Sequence, residues 1–225
     1  MTHATVLDDV TITGLTADSR TVKPGFLFAA IPGTRLDGRD FIDAAVRAGA
    51  AAVLAPPDVT EERVCPGISL ITADNPRRSL ARLAAAFYEE KPENIVAVTG
   101  TNGKTSVATF TRQIWNAVGR KAASLGTLGL VGPKLEGGSD LTTPDSVALH
   151  RTLHELAGQG VQDVALEASS HGLDQFRLDN VPVRAAAFTN LTRDHLDYHG
   201  SMAEYRRAKM RLFRELLVPG GAMVV

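Results

Sequence analysis

Ile95-Val-Ala-Val-Thr-Gly-Thr-Asn-Gly-Lys-Thr-Ser106 is the stretch on which the reading of the chain turns. An apolar, β-branched run ends in a loop with glycines at 100 and 103, and Lys104-Thr105 opens an amphipathic helical pattern. Each part has a role if the loop holds phosphate. Gly100 and Gly103 let backbone amides close on phosphate oxygens because no Cβ intervenes. A helix starting there presents unpaired N–H groups and its positive dipole end to an anion. Lys104 can reach terminal phosphates, and the Thr105 hydroxyl can ligate Mg²⁺. The generic phosphate loop has a glycine where this chain has Val98. The plainer reading is a glycine turn joining strand to helix beside an incidental lysine. Strand, loop and helix in register favour the nucleotide.

Working outward, short apolar runs alternate with amphipathic stretches, the pattern of an α/β fold. Strands are expected over 26–30, 51–55, 69–72, 95–99, 164–167 and 185–189. Phe41, Ala44, Ala45 and Ala48 share one helical face; Leu80, Leu83, Ala84 and Phe87 share another. Val107, Phe110, Ile114 and Ala117 make a third, and Leu149, Leu153 and Leu156 a fourth. Asn75-Pro76 reads as an N-cap followed by proline at the first helical position. The polar stretch Tyr88-Glu-Glu-Lys-Pro-Glu-Asn94 divides the chain into domains 1–92 and 93–225. The last residues, from Pro219-Gly-Gly to Val225, read as a turn and an incipient strand, so the second domain is expected to be incomplete.

The bulk numbers exclude some classes. Hydrophobic residues make up 44% of 225 and charged residues 22%, enough to fill a core. A net charge of -1 gives no electrostatic case for nucleic acid or an anionic membrane. Cys65, the single cysteine, has no internal disulfide partner and is expected as a small buried apolar residue. The N-terminus lacks a signal-peptide layout, and the apolar stretch 50–55 is too short to cross a bilayer. A cytoplasmic protein is the expectation.

Further chemistry is expected at the carboxyl ends of later strands, where parallel sheets gather functional groups. Glu167 ends one strand and precedes Ala-Ser-Ser-His-Gly172; it fits Mg²⁺ ligation and strand-end capping equally well. The next strand leads into Asn190-Leu-Thr-Arg-Asp-His-Leu-Asp-Tyr-His-Gly200, whose spacing matches no zinc pattern. A solvated loop with Asp194 as a local cap is the plain alternative to a functional cluster. Lys209, within Glu204-Tyr-Arg-Arg-Ala-Lys-Met-Arg-Leu-Phe213, reads by spacing alone as an exposed lysine on a basic helix.

Together, Thr99-Gly-Thr-Asn-Gly-Lys-Thr105, Glu167-Ala-Ser-Ser-His-Gly-Leu173, Asn190-Leu-Thr-Arg-Asp-His-Leu-Asp197 and Tyr205-Arg-Arg-Ala-Lys209 resemble the Mur ligases. Among these they are most similar to the branch that adds the third amino acid to the peptidoglycan precursor. Asp18-Ser-Arg-Thr-Val-Lys-Pro-Gly-Phe-Leu-Phe-Ala-Ala-Ile-Pro-Gly33 and Asp37-Gly-Arg-Asp-Phe41 resemble the UDP-binding domain of the same branch. The resemblance implies a small α/β UDP-binding domain and then a phosphate-loop, parallel-sheet ATPase domain. It implies an ATP-dependent amide-bond ligase acting through an acyl phosphate on UDP-N-acetylmuramoyl-L-Ala-D-Glu. The amino acid implied is meso-diaminopimelate or L-lysine.

Residue by residue, the resemblance assigns Thr99, Gly100, Thr101, Asn102, Gly103, Lys104, Thr105 and Ser106 to ATP. Thr105, Glu167, His195 and an N6-carboxylated Lys209 are assigned to Mg²⁺, against the spacing-only reading of Lys209. Ala17, Ser19, Thr34, Arg35 and Leu36 would line the uridine site. Thr142, Thr143, Ser169, Gln175 and Arg177 would grip the diphosphate, sugar and peptide.

The family continues beyond this length into a C-terminal domain that binds the incoming amino acid, so the chain alone is expected not to complete ligation. Asp74-Asn-Pro-Arg77 imitates a diaminopimelate-selecting motif of that domain, but here it is ordinary capping chemistry. A folylpolyglutamate-synthase-like ligase shares the loop but lacks the Asp-Ser-Arg domain; a non-catalytic binder of precursor or nucleotide is the other alternative. No nucleic-acid or membrane partner is implied, and a monomer is expected.

Overall fold

A computed structural model gives the fold over residues 5–7, 10–33, 36–133, 136–137 and 141–225. The chain forms two compact units, Met1–Tyr88 and Glu89–Val225.

In the first unit, β1 (Thr5–Leu7) and β2 (Val10–Ile12) pair antiparallel. A parallel sheet then runs in sequence order through β3 (Gly14–Thr16), β4 (Phe26–Ala29), β5 (Ala52–Ala55) and β6 (Ser69–Thr72). Helices α1 (Ile42–Arg47) and α2 (Pro76–Phe87) belong to this unit. β5 is buried along its whole length, as a central parallel strand requires. The Asn75 side chain accepts from the Arg78 amide at 3.0 Å, and Pro76 takes the first helical position, as the sequence indicates. Leu80, Ala84 and Phe87 face the core from α2.

Two expectations are corrected in this unit. Phe41 lies in a 3-10 turn, Gly38–Phe41, so α1 is rotated to bury Ile42 and Ala45 while Ala44 and Ala48 are exposed. Cys65 is exposed: it sits between the turn Glu61–Arg63 and the Pro66-Gly67 turn, and its neighbour Val64 takes the inward place.

The second unit carries β7 (Asn94–Thr99), α3 (Lys104–Ala117), β8 (Ala122–Gly126), β9 (Gly129–Val131) and β10 (Glu136–Gly137). It continues with α4 (Ser146–Gly158), β11 (Asp163–Glu167), α5 (Ser170–Asp174) and β12 (Val183–Phe188). It ends with α6 (Leu196–His199), α7 (Met202–Arg211), a π-helical turn Leu212–Leu216 and β13 (Leu217–Val224). The sheet order is β10-β9-β8-β11-β7-β12-β13, parallel from β8 to β13 with β9 and β10 antiparallel at one edge.

One face of this sheet packs Ile95, Ala97, Leu125, Val164 and Leu166 against Leu149, Leu153 and Leu156 of α4 and Leu212 and Leu216 beyond α7. Deleting such contacts costs about 2–5 kcal/mol per leucine cut to alanine, so this layer holds the unit together. The other face is thinner: Val98 and Ala165 meet Ala108 and Trp115 of α3.

Here the expected apolar face of α3 is corrected. Phe110 and Ile114 are 59% and 63% exposed, Val107 borders on exposure, and Ala117 also faces outward. The loop before α3 fixes its rotation: with Lys104 and Thr105 turned to the loop, Ala108, Arg112 and Trp115 meet the sheet. Arg112 donates to the Ser124 hydroxyl there at 3.1 Å. Lys209 is likewise corrected from the spacing-only reading, being only 1% exposed. It shares a stripe with Tyr205, Ala208 and Leu212, all buried.

Candidate functional site

The loop between β7 and α3 is strung on two glycines in the left-handed half of backbone space, Gly100 at φ 138° and Gly103 at φ 86°. A Cβ at Gly100 would collide with the Thr189 hydroxyl at the end of β12. Thr101 N–H donates to the Asn190 carbonyl at 2.9 Å and Asn102 N–H to the Asn190 side-chain oxygen at 3.1 Å. The strand end after β12 thus holds the loop's outer rim. Gly103 caps α3 with no side-chain bond, leaving the first-turn amides available.

Lys104 curls back over the loop, donating to the carbonyls of Gly100 at 3.0 Å and Thr101 at 2.8 Å. Burial lowers its pKa from the ordinary lysine value, with the charges of Glu167 and Asp194 opposing.

Glu167, at the end of β11, is 3% exposed and faces the loop. Its Oε2 accepts from the Thr105 hydroxyl at 3.0 Å and the Thr127 hydroxyl at 3.2 Å; its Oε1 accepts from the Thr127 amide at 2.9 Å. Behind it, the Thr143 hydroxyl donates to the Glu167 carbonyl at 2.8 Å and accepts from the Ser169 amide at 3.0 Å. The Ser169 hydroxyl caps α5 through the Gly172 amide at 3.0 Å. Thr143 is therefore buried with its hydroxyl engaged internally.

Lys209 approaches from α7. Its Nζ donates to the Gly100 carbonyl at 2.7 Å and lies 4.4 Å from the centre of the Tyr205 ring. Burial first, then the nearby Lys104 charge, pull its pKa down to about 7. The Tyr205 hydroxyl lies 3.2 Å from that of Thr101.

His195 has a left-handed backbone, φ 51°, with its Nε2 3.4 Å from Asp194. Asp194 also accepts the His195 amide at 2.9 Å, but the helix that follows has His195 itself at its N-cap with no side-chain cap bond, so Asp194 does not cap it. The His195 ring meets His171 edge-on, centroids 4.8 Å apart.

These groups surround one open cleft of about 210 Å³. Of the sequence-predicted residues, Thr101 to Thr105, Thr142, Glu167, Ser169, His195 and Lys209 line it. Ser106 is exposed beside it and Thr99 is buried at the strand end. Gln175 and Arg177 form an adjoining group: Arg177 donates to the Thr143 carbonyl and to Gln175 Oε1, each at 2.7 Å. In the first unit, Ala17 and Ser19 follow β3, and Leu36, 70% exposed, follows the adjacent strand β4. Thr34 and Arg35 lie outside the described residues.

Sequence reading passed over Thr127 and Tyr205. Tyr205 carried a signal, the apolar spacing it shares with Ala208 and Leu212. Thr127 follows the alanine-rich strand β8, which no β-branched run announces.

The oxygens of Thr105 and Glu167 suit a hard cation. Among the described residues, no group of three or more His, Cys, Asp or Glu side chains converges to hold a metal. Two protein oxygens fit Mg²⁺ in the usual way, in which substrate phosphates and water complete the shell.

The chain matches the Mur ligase middle domain over residues 98–225 and the Mur ligase family catalytic domain over residues 11–88. It is 55% identical over 216 residues to the UDP-N-acetylmuramoyl-L-alanyl-D-glutamate--2,6-diaminopimelate ligase of Bradyrhizobium diazoefficiens, covering 95% of this chain and 43% of that one. The protein of the same name from Brucella melitensis is 52% identical, with 96% and 44% covered. A solved structure of a ligase of that name superposes with a TM-score of 0.76 at 34% identity, covering 90% of this chain and 41% of the other. The chain thus spans less than half the length of these relatives. Among the described residues, no helix is long and apolar enough to cross a membrane.

Proposed function

The chain belongs to the Mur ligase family, and from that premise we propose that it carries the ATP- and precursor-binding part of an amide-bond ligase. The reaction proposed adds meso-diaminopimelate, as third residue, to UDP-N-acetylmuramoyl-L-Ala-D-Glu. One observation carries the reading: the Thr105 hydroxyl and Glu167 carboxylate meet at 3.0 Å in the cleft that also holds Lys104. The names of the relatives support diaminopimelate over lysine.

The chemistry follows from a weak acyl donor. A carboxylate resists amines, so ATP first converts the precursor's terminal carboxylate to an acyl phosphate, releasing ADP. The incoming amine then attacks the acyl carbon, and phosphate leaves as the amide forms. Catalysis of such transfers rests on positioning and on neutralising charge. The backbone amides from Gly100 to Thr105 are proposed to cradle the phosphates, with Lys104 exchanging its loop carbonyls for phosphate oxygens. Mg²⁺, held by Thr105 and Glu167 and at a second position by His195, would neutralise charge on the transferring phosphoryl group. Lys209, carboxylated on Nζ, is proposed to join as an oxygen ligand; its burial and lowered pKa favour the neutral amine that this modification needs.

Residues 1–92 are proposed as the precursor-binding domain, with Ala17, Ser19, Thr34, Arg35 and Leu36 at the uridine. Residues 93–225 are proposed as the ATP-binding part, where Thr142, Ser169, Gln175 and Arg177 serve the rest of the precursor and the buried Thr143 acts from behind, through its bonds to the Glu167 carbonyl and the Ser169 amide. A cytoplasmic monomer fits this role.

The test is ADP release by the protein that carries this chain, with precursor, Mg·ATP and either amino acid. One ADP per amide formed, with diaminopimelate preferred, supports the proposal. No precursor-dependent ADP release, or preference for lysine, counts against it.

A further inference from the structure

Resting on the ligase reading, we propose that Thr127 is a positioning residue, which sets the Glu167 carboxylate for its cation and links it to Thr142 across the cleft. A glutamate side chain has three rotatable bonds, so a preset carboxylate needs donors on its oxygens. Glu167 has them. The Thr127 amide takes Oε1 at 2.9 Å, and the Thr127 hydroxyl shares Oε2, at 3.2 Å, with Thr105.

The backbone beneath is shaped for this contact. A Cβ at Gly126 would overlap the Glu167 side chain, so the carboxylate lies on the Gly126-Thr127 peptide at the end of β8. β8 is the hydrogen-bonded neighbour of β11, which carries Glu167, so the two strand ends are held in register.

The Thr127 hydroxyl has one proton. Given to Glu167, it leaves the oxygen to accept from Thr142 Oγ1 at 3.2 Å. The direction of the chain is then Thr142 to Thr127 to Glu167. It joins the wall assigned to the precursor to the wall assigned to the nucleotide.

A cation that takes the oxygens of Thr105 and Glu167 together removes the hydrogen bond between them. Thr127 then supplies the donors that still orient the carboxylate. Donors of this outer-shell kind are typically worth about 10–100-fold in metal affinity.

The experiment is a calorimetric titration of the 225-residue chain with ATP, in Mg²⁺ and in excess chelator, for wild type, Thr127→Val and Thr127→Ser. Thr127 is exposed, so neither substitution disturbs a core, and thermal unfolding checks that both variants fold. The expected result is that Thr127→Val loses about 10-fold of the affinity gained from Mg²⁺, with chelated-ATP affinity changed less than about 2-fold. Thr127→Ser, which keeps the hydroxyl, retains the gain. A Thr127→Val chain with the full Mg²⁺ gain overturns the proposal and leaves the ligase reading standing. Equal losses in both variants overturn it too, since shape rather than the hydroxyl would then matter. A wild-type chain that binds no nucleotide overturns the ligase reading itself, and this proposal with it.

Discussion

Lys209 Nζ donates to the carbonyl of Gly100 at 2.7 Å, tying α7 to the loop between β7 and α3 across 109 positions of sequence. The same carbonyl accepts Lys104 at 3.0 Å, so two lysines converge on one oxygen. A buried ammonium beside a second cation costs stability, which is why the Lys209 pKa falls to about 7. Because the folded value lies below the unfolded one, the cost is full below pH 7 and fades as pH rises toward the unfolded lysine value. For the chain with Lys209 unmodified, Lys209→Met is therefore expected to stabilise the fold at pH 6 by about 1–2 kcal/mol. That is about 3–6 °C in unfolding midpoint for a chain of this size. By pH 9 most of the gain should be gone. Calorimetric melting at both pH values checks this; a gain that does not shrink with pH contradicts it.

Lys104→Met is expected to weaken ATP binding by about 10–100-fold, the scale of a lost charge-assisted hydrogen bond. Since, among the described residues, the hydrogen bonds of Lys104 go to loop carbonyls, the fold should persist. Titration with ATP gives the affinity and far-ultraviolet circular dichroism the fold. Undiminished affinity would remove Lys104 from the nucleotide site.

Helices α3 and α4 offer a sharp contrast. Ile114 is 63% exposed and Leu153 is fully buried. Ile114→Ser should change stability by no more than about 0.5 kcal/mol. Leu153→Ala should cost about 2–5 kcal/mol. Urea unfolding of both variants decides it: a large cost at Ile114 would show that this face packs inward after all.

How much of this was legible before the fold was known? The loop at 95–106 was, because glycines, lysine and threonine have narrow physical uses when strand and helix flank them. Short apolar runs set between amphipathic stretches, such as 26–30, 51–55 and 185–189, were legible as strands too. β8 was not: Ala122-Ala-Ser-Leu-Gly126 has no β-branched residue, and neighbouring strands rather than propensity make it extended. The α3 face was misread because periodicity shows that apolar residues align, not which side the loop turns to the sheet. Lys209 was misread in the opposite sense. Charge argued for solvent, while its place on the stripe of Tyr205, Ala208 and Leu212 argued for burial, and packing won. Cys65 followed average burial statistics against a local turn.

His150 predicts the acid behaviour. It is fully buried on α4, its Nε2 lies 3.0 Å from the Asp179 carbonyl, and its Nδ1 has no hydrogen-bond partner among the described residues. A carbonyl only accepts, so Nε2 carries the proton and the ring is neutral. Desolvation, opposed by that hydrogen bond, lowers its pKa to about 4 from 6.5. The unfolded chain takes up a proton that the folded one refuses, so stability falls as pH drops from about 6.5 to 4. Between pH 7 and 5 the loss from this group should be about 2 kcal/mol. Urea melts of wild type and His150→Leu at both pH values isolate it. Equal acid losses in the two proteins would contradict the assignment.

The ligase function is probed most directly by calorimetric titration of the chain with UDP-N-acetylmuramoyl-L-Ala-D-Glu, with and without Mg·ATP, in wild type and Arg177→Ala. Saturable precursor binding is expected, which Arg177→Ala abolishes or weakens at least about 10-fold, as loss of a charged recognition group does. A folded wild-type chain that binds no precursor, or an Arg177→Ala chain that binds it as well as wild type, would contradict it.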